Sequence, residues 1–362
     1  MGRAGVASLP LHGGKAPRWL FDRMVKLARA IFDVMLMEND TAYVLQLLAD
    51  PFWFQALSCV LGFDWHSSGT TTVTCGALKE ALADHDAIRV AGGKGSRSHG
   101  TLDELAVIGD TFALDERRID MLRYTSRMTA KVDNAAVQDG YQLYHHCMLV
   151  TRQGDWAVIQ QGMHAGQRYA RRYHWLSDTA QDMIEDPHTA VLGERRRTMN
   201  MTARASHEAR ETSVDLLNDD PRHLRRDWKL LTLPSQQTTL DGRRGRQPKN
   251  LHMPRQFNWS LLKEAYELQP ASYEDMLAIR GVGPATVRAL AYIAALMYGS
   301  PPAWQDPAKY SFAVGGKDGI PYPVNRRAMD EATALIREGI DEASVGTKDK
   351  LRAIERLQHL LP

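Results

Sequence analysis

The chain is poor in cysteine. Its three thiols, Cys59, Cys75 and Cys147, are odd in number, widely spaced and form no CxxC pair, which argues against both a disulfide framework and a zinc knuckle. Such usage fits a reducing compartment. No run approaches the roughly 20 apolar residues of a membrane span, and Met1 to Lys15 offers Gly, Pro and His instead of an unbroken apolar leader. A soluble, cytoplasmic protein without membrane contact is expected. Charge of one sign is also scarce: the formal net charge of +2 excludes a polycationic coat, so any nucleic-acid surface must be local. HExxH and His-x-His pairs are lacking, and no metal or other cofactor is expected. The stretch Gly92-Gly93-Lys94-Gly95-Ser96-Arg97-Ser98 has the composition of a phosphate loop. It departs from GxxxxGK[ST] and belongs to no βαβ unit, which excludes an NTPase.

What is present is core-forming. With 44% hydrophobic residues in 362, the chain can bury two domains or one large one. Leu20, Met24, Leu27, Ile31 and Met35 recur at three- and four-residue spacing and predict a helix over 17–37. Two more are expected over 41–48 and 51–61, the latter stopping at Gly62. Aromatic and β-branched residues over 141–150 and 156–161, separated by Arg152-Gln153-Gly154-Asp155, predict a β-hairpin. Ser177 or Asp178 can cap a helix that would end at Asp186-Pro187. Between 193 and 256, fourteen Arg and Lys face eight Asp and Glu, which reads as a basic connector. Its Arg243 to Arg255 part, free of acidic residues, reads as a mobile arm. Helical periodicity returns from Trp259, and a last helix is expected over 348–361. The expected fold is α+β and mainly α: a helical N-terminal domain with a small antiparallel sheet (1–192), the connector (193–258) and a helical C-terminal module (259–362).

The most specific motif is Leu277-Ala278-Ile279-Arg280-Gly281-Val282-Gly283-Pro284-Ala285-Thr286-Val287, which matches a helix-hairpin-helix. Glycine permits positive φ and close approach, while the first N–H groups of the second helix face an anion. Gly281, Val282 and Gly283 are therefore expected to grip DNA phosphates, which gives affinity without base reading. Arg280 and Arg288 stand where they can add charge. The plainer reading is an αα-hairpin that uses Gly-x-Gly only as a turn.

Polar and aromatic groups concentrate between Lys131 and Trp175, a composition suited to handling an extruded nucleotide. Gln142, Tyr144 and Gln160 are candidates for recognising a base. Arg168, Arg171 and Arg172, with Trp175, have the spacing of one helical face and would contact phosphates, as would Arg243 and Arg244 of the arm. Each has a structural alternative: a core tyrosine, or a solvated arginine face. His145 and His146, being consecutive on a strand, must face opposite sides. The hydroxyl-rich Asp64-Trp65-His66-Ser67-Ser68-Gly69-Thr70-Thr71-Thr72 is a weaker site candidate, since hydroxyl-capped turns are common.

The strings Leu9-Pro10-Leu11-His12-Gly13-Gly14, Phe63 to Gly69, Lys131-Val132-Asp133 through Val137 to His146, and Trp156 to Met163 together resemble one prokaryotic family of unknown-function domains. The resemblance covers nearly the whole chain. It implies a link to excision of altered bases from DNA, hence a DNA glycosylase acting on double-stranded DNA. A uracil-type base such as 5-hydroxymethyluracil is one candidate, and the sequence does not identify the base. Glycosidic cleavage builds positive charge on the sugar, so a carboxylate must stand near it while donors stabilise the departing base. Asp133 is the expected carboxylate, Lys131 a donor or nucleophile, and His145 or His146 a stabiliser of the base. The hairpin also resembles that of a glycosylase superfamily whose bifunctional members place a lysine after the glycine pair and an aspartate further on. Here Ala285 follows Pro284, so the lysine is missing, while Asp306 matches the aspartate only loosely. Two rivals remain: a metal-dependent nuclease using Asp133, Asp139 and Asp155, and a non-enzymatic DNA-binding protein. The sequence identifies no protein partner.

Overall fold

The structure, a computed structural model, describes residues 9–11, 16–63, 67–164, 166, 168–232, 252–254, 258–308, 334, 337–341, 343 and 346–359. The fold is α+β and mainly helical. At the N-terminus, β1 (Leu9–Pro10) precedes α1 (Arg18–Glu38), α2 (Thr41–Ala49), α3 (Pro51–Leu61) and α4 (Ser68–Ala81). Local chemistry sets their ends: Asp50 accepts from the N–H groups of Phe52 and Trp53 at the start of α3, and Gly62 closes it with φ 108°. The three N-terminal helices thus lie where the periodicity placed them.

Strand β2 (Ile88–Lys94), α5 (Thr101–Thr111) and α6 (Glu116–Lys131) follow. A π-helical turn (Val132–Ala136) leads from α6 into β3 (Val137–Gln138), β4 (Gln142–Thr151), β5 (Trp156–His164), β6 (Tyr169–Leu176), β7 (Ala190–Leu192) and β8 (Met199–Asn200). The main sheet has the order β1-β6-β5-β4-β2, with β7 also on β6, while β3 pairs with β8. Pairing is antiparallel throughout. The predicted hairpin is β4–β5.

Both faces of this sheet are covered, so successive residues of the central strands enter two different cores. Met148, Val150, Val158, Tyr173 and Trp175 join a cluster with α5, α6 and the C-terminal helices. Cys147, Leu149, Ala157, Ile159 and Leu176 join another with α1 to α4. A strand buried on both sides loses the inside–outside alternation that makes strands visible in sequence.

Three expectations are corrected. Arg168, Arg171, Arg172 and Trp175 share no helical face: β6 pairs with β5, with Gly162 opposite Arg171 and Gln161 opposite Arg172, so the two arginines enter opposite cores. The helix expected from Ser177 to Asp186 is a series of turns. There Asp182 accepts from the N–H groups of Ile184 and Glu185, a local bond that competes with helix. The stretch counted as a connector carries, over its described part, β8, α7 (His207–Asn218) and α8 (Pro221–Thr232). Charge counting hid their amphipathic patterns, for Val214, Leu217 and Leu224 are core residues. Arg243, Arg244 and the rest of the predicted arm up to Leu251 lie outside the described residues, as do Asp64, Trp65 and His66.

Helices α9 (Trp259–Leu268), α10 (Tyr273–Ala278) and α11 (Pro284–Met297) pack into the core that also holds α5 and α6, and α12 (Thr347–His359) lies against α3. Among the described residues no single helix is long and apolar enough to cross a membrane.

Candidate active site and nucleic-acid interface

Lys131, Val132 and Asp133 stand where α6 passes into the π-helical turn. Val132 is core, and its neighbours point two ways. Lys131 Nζ donates to the carbonyls of Ile279, at 2.7 Å, and Val282, at 2.8 Å. The segment that carries Asp133 therefore holds the α10–α11 turn. Burial pushes the Lys131 ammonium below its usual range. Gln138 reinforces the tie: its Nε2 donates to the carbonyl of Pro284 at 2.9 Å, and its Oε1 accepts from Arg288 Nη1 at 2.8 Å.

The turn has the parts an anion site needs. Ser272 caps α10, Gly281 sits at φ 95°, and Val282 is anchored in the core at 2% exposure. Gly283 begins α11 without a side-chain cap, with Pro284 as its first residue. A Cβ at Gly283 would meet nothing nearer than the Gly281 carbonyl at 3.9 Å. Arg280 and Gly281 are exposed.

Asp133 is fully buried and ringed by donors. Its Oδ2 accepts from Gln160 Nε2 at 2.6 Å and from Trp175 Nε1 at 3.1 Å. An indole and an amide nitrogen can only donate, so Oδ2 is the acceptor in both bonds. His188 Nε2 stands 2.5 Å from Oδ1. Burial pushes the Asp133 carboxyl up, while His188, Trp175 and Gln160 oppose that rise. Upstream, Gln160 Oε1 lies 2.8 Å from His146 Nδ1, and His146 Nε2 lies 2.9 Å from Ser126 Oγ. The Gln160 carbonyl must accept, so Nδ1 bears the proton of this imidazole, whose pKa burial lowers. Ser126 then donates to Nε2. The chain Ser126, His146, Gln160, Asp133 has one direction and ends on the carboxylate beside His188.

A second carboxylate occupies the same sheet face. Asp139 Oδ2 accepts from Arg171 Nη1 at 3.1 Å and from Tyr173 Oη at 2.6 Å. Arg171 Nη2 reaches Asp306 at 2.8 Å and the Glu194 carbonyl at 2.6 Å. Burial opposes the Arg171 charge, yet Asp139 and Asp306 hold its pKa above the ordinary value. Fully buried between two carboxylates, Arg171 is a core ion-pair residue and does not reach phosphate from the surface. Asp306, the loose match to a catalytic aspartate, accepts from Arg171, the Arg196 N–H and Thr198.

The opposite face holds the other polar candidates. His145, with Cys75 and Cys147, forms a cluster whose ligand atoms lie within 4.8 Å of one another. Burial lowers the His145 pKa to about 3. Arg172 is equally buried, its guanidinium 4.9 Å from the Phe54 ring centroid, and it too has no phosphate within reach. Gln161 joins Ser68, Thr71 and Tyr144. The register shift between Leu143 and His145 accompanies that placement of Tyr144. Gln142 and Arg168 are exposed.

The structure thus joins Asp133, Gln160 and His146 and separates them from His145, Tyr144 and Arg172. His188 was missed because it lies 55 residues from Asp133 in a stretch read as loop after the Asp186-Pro187 break. A cleft of about 630 Å³ is lined by Gln46, Tyr124, Trp156, Gln181, Met183 and Glu274, among others; neither Asp133 nor any of its hydrogen-bond partners lines it. The nuclease candidates Asp133 and Asp139 have separate donor sets, and Asp155 lies in the β4–β5 turn beside Arg118.

Searches of the curated proteins and of the solved structures returned no significant match. A family profile described as a protein of unknown function, DUF763, matches residues 5–324, and this chain belongs to that family.

Proposed function

We propose that this chain binds duplex DNA through the Ile279–Pro284 turn and excises an altered base, with Asp133 as the carboxylate that stabilises the sugar cation. The observation that carries this reading is the adjacency of Lys131 and Asp133: one fixes the carbonyls of the glycine turn, and two residues later the other holds the only carboxylate of the donor chain that ends on His188. Backbone gripped at the turn is thereby held in fixed register with the carboxylate. Lys131, committed to two carbonyls, serves as a positioning residue.

Glycosidic cleavage needs negative charge at C1′ and a proton source for the leaving base. Asp133 supplies the first. His188, on Oδ1, supplies or holds the second. The Ser177–His188 segment lines the cleft with Ser177, Asp178, Ala180, Gln181 and Met183, and its far end covers Asp133 through His188. Its displacement would admit an extruded nucleotide to the carboxylate. Flipping enzymes provide a pocket that holds the base by stacking and edge contacts, and Tyr124, Trp156 and Gln181 offer such groups in the cleft.

Incubation with a panel of duplexes, each carrying one altered base, followed by mild alkali, tests the reading. Strand breaks at one altered base, insensitive to chelator, are expected. Cleavage without alkali that stops when divalent ions are removed would establish the nuclease instead.

A further inference from the structure

On the sheet face away from Asp133, polar groups are buried without the partners that buried polar groups normally have. Neither ring nitrogen of His145 has a hydrogen-bond partner, and none of the three guanidinium nitrogens of Arg172 has one. Both side chains are at most 2% exposed. Leaving such groups unsatisfied in the core costs several kcal/mol by order of magnitude, so a counterpart is to be sought. Around them stand Cys75, from the middle of α4, and Cys147, which shares the His145 face of β4 two residues on.

The geometry points to a buried copper(I) site formed by Cys75, His145 and Cys147, with Arg172 as its charge complement. The three donor atoms lie within 4.8 Å of one another, so a small inward shift surrounds an ion at ordinary metal–sulfur and metal–nitrogen lengths. Two sulfurs and an imidazole select a soft ion. Charge then separates the two soft candidates. Binding displaces both thiol protons, Cu⁺ + 2 RSH → [Cu(SR)₂]⁻ + 2 H⁺, and the anion formed is neutralised by Arg172. Zinc with the same thiolates is neutral by itself and would leave the Arg172 charge uncompensated in the core.

Coordination number agrees with the charge argument. A structural zinc site is closed by four protein ligands, whereas the described cluster offers three. The Gln161 amide on this face is committed to Ser68, Thr71 and Tyr144. Three-coordinate copper(I) needs no fourth donor. The site lies outside the donor chain of Asp133, and its fate is independent of base excision.

The test is anaerobic titration of the reduced full-length chain with copper(I) held by a chromophoric copper(I) chelator, on native protein and on protein refolded from denaturant. One equivalent withdrawn from the chelator is expected, unaffected by excess zinc and retained by Cys59→Ser, which removes the thiol outside the cluster. Cys75→Ser, Cys147→Ser and His145→Phe should each lose it. Should those variants fail to fold, X-ray absorption of the loaded wild-type protein decides, with two sulfurs and one nitrogen expected about copper. No uptake in either protocol, stoichiometric uptake of zinc in place of copper, or a different first shell overturns the assignment.

Discussion

Neighbouring arginines on the two faces of the central sheet are buried in opposite ways. Toward α6 and α11, Asp133, Gln160, His146, Asp139, Arg171 and Tyr173 meet one another in hydrogen bonds of 2.6–3.1 Å. Toward α3 and α4, His145 and Arg172 meet none. Arg171 and Arg172, chain neighbours, make the contrast sharpest: one is clamped by two carboxylates and the other stands over an aromatic ring. A satisfied network fixes geometry, as a site for positioned chemistry requires, whereas an unsatisfied one marks a missing counterpart.

The largest effect expected of this contrast is on stability. Arg171→Met strands Asp139 and Asp306 in the core and should cost roughly 3–5 kcal/mol of unfolding free energy. Arg172→Met, in metal-free protein, removes an unpaired charge of similar volume and should be neutral or stabilising. Denaturant midpoints for the two variants check the pair, and equal losses would dissolve the distinction between the faces.

A smaller effect separates the two glycines of the turn. Gly281→Ala places a side chain at φ 95° and 3.1 Å from Leu261 Cδ1, for a loss of about 1–2 kcal/mol in stability. Gly283 has an extended backbone and open space. Gly283→Val should therefore fold normally yet weaken duplex DNA binding roughly tenfold, as loss of one or two backbone contacts would. Melting curves and duplex affinities measured side by side distinguish strain from obstructed approach. Unchanged affinity in folded Gly283→Val would remove the turn from DNA binding.

A further effect is in pH dependence. Burial, with Arg172 adding repulsion, holds the His174 imidazole well below its usual range. The unfolded chain takes up a proton near pH 6.5 that the folded chain refuses, so stability falls as pH drops below that value, by about 1.4 kcal/mol per unit for this group. His174→Leu should flatten the acid limb of the stability profile by that amount. An unaltered limb would show that His174 does not supply it.

Legibility in the sequence followed the range of the interactions. Local signals placed α1 to α3, the Gly62 cap, the β4–β5 hairpin and the α10–α11 turn, because capping, turn chemistry and periodicity act within a few residues. The identity of β6 was not local: Arg168, Arg171, Arg172 and Trp175 have helical spacing, and pairing with β5 made Tyr169–Leu176 a strand that sends Arg171 and Arg172 to opposite faces. Of the candidate site, Asp133, Gln160 and His146 were named and are joined. His188 was not, since nothing near it in sequence marks its contact with Asp133. The cysteine–histidine cluster was not seen in the sequence, where the thiols form no CxxC pair and the histidines no His-x-His pair. The available signal was His145-x-Cys147, an i, i+2 spacing that puts both on one strand face, and only the fold adds Cys75.

Asp133→Asn tests the central claim most directly, because it keeps the shape of the side chain and removes its negative charge. Single-turnover excision from the preferred altered-base duplex should fall about a hundredfold or more, by the scale of losing one electrostatic stabiliser, while duplex affinity and the unfolding midpoint stay close to wild type. Excision at the wild-type rate by a folded Asp133→Asn protein would contradict the assignment of Asp133 to catalysis.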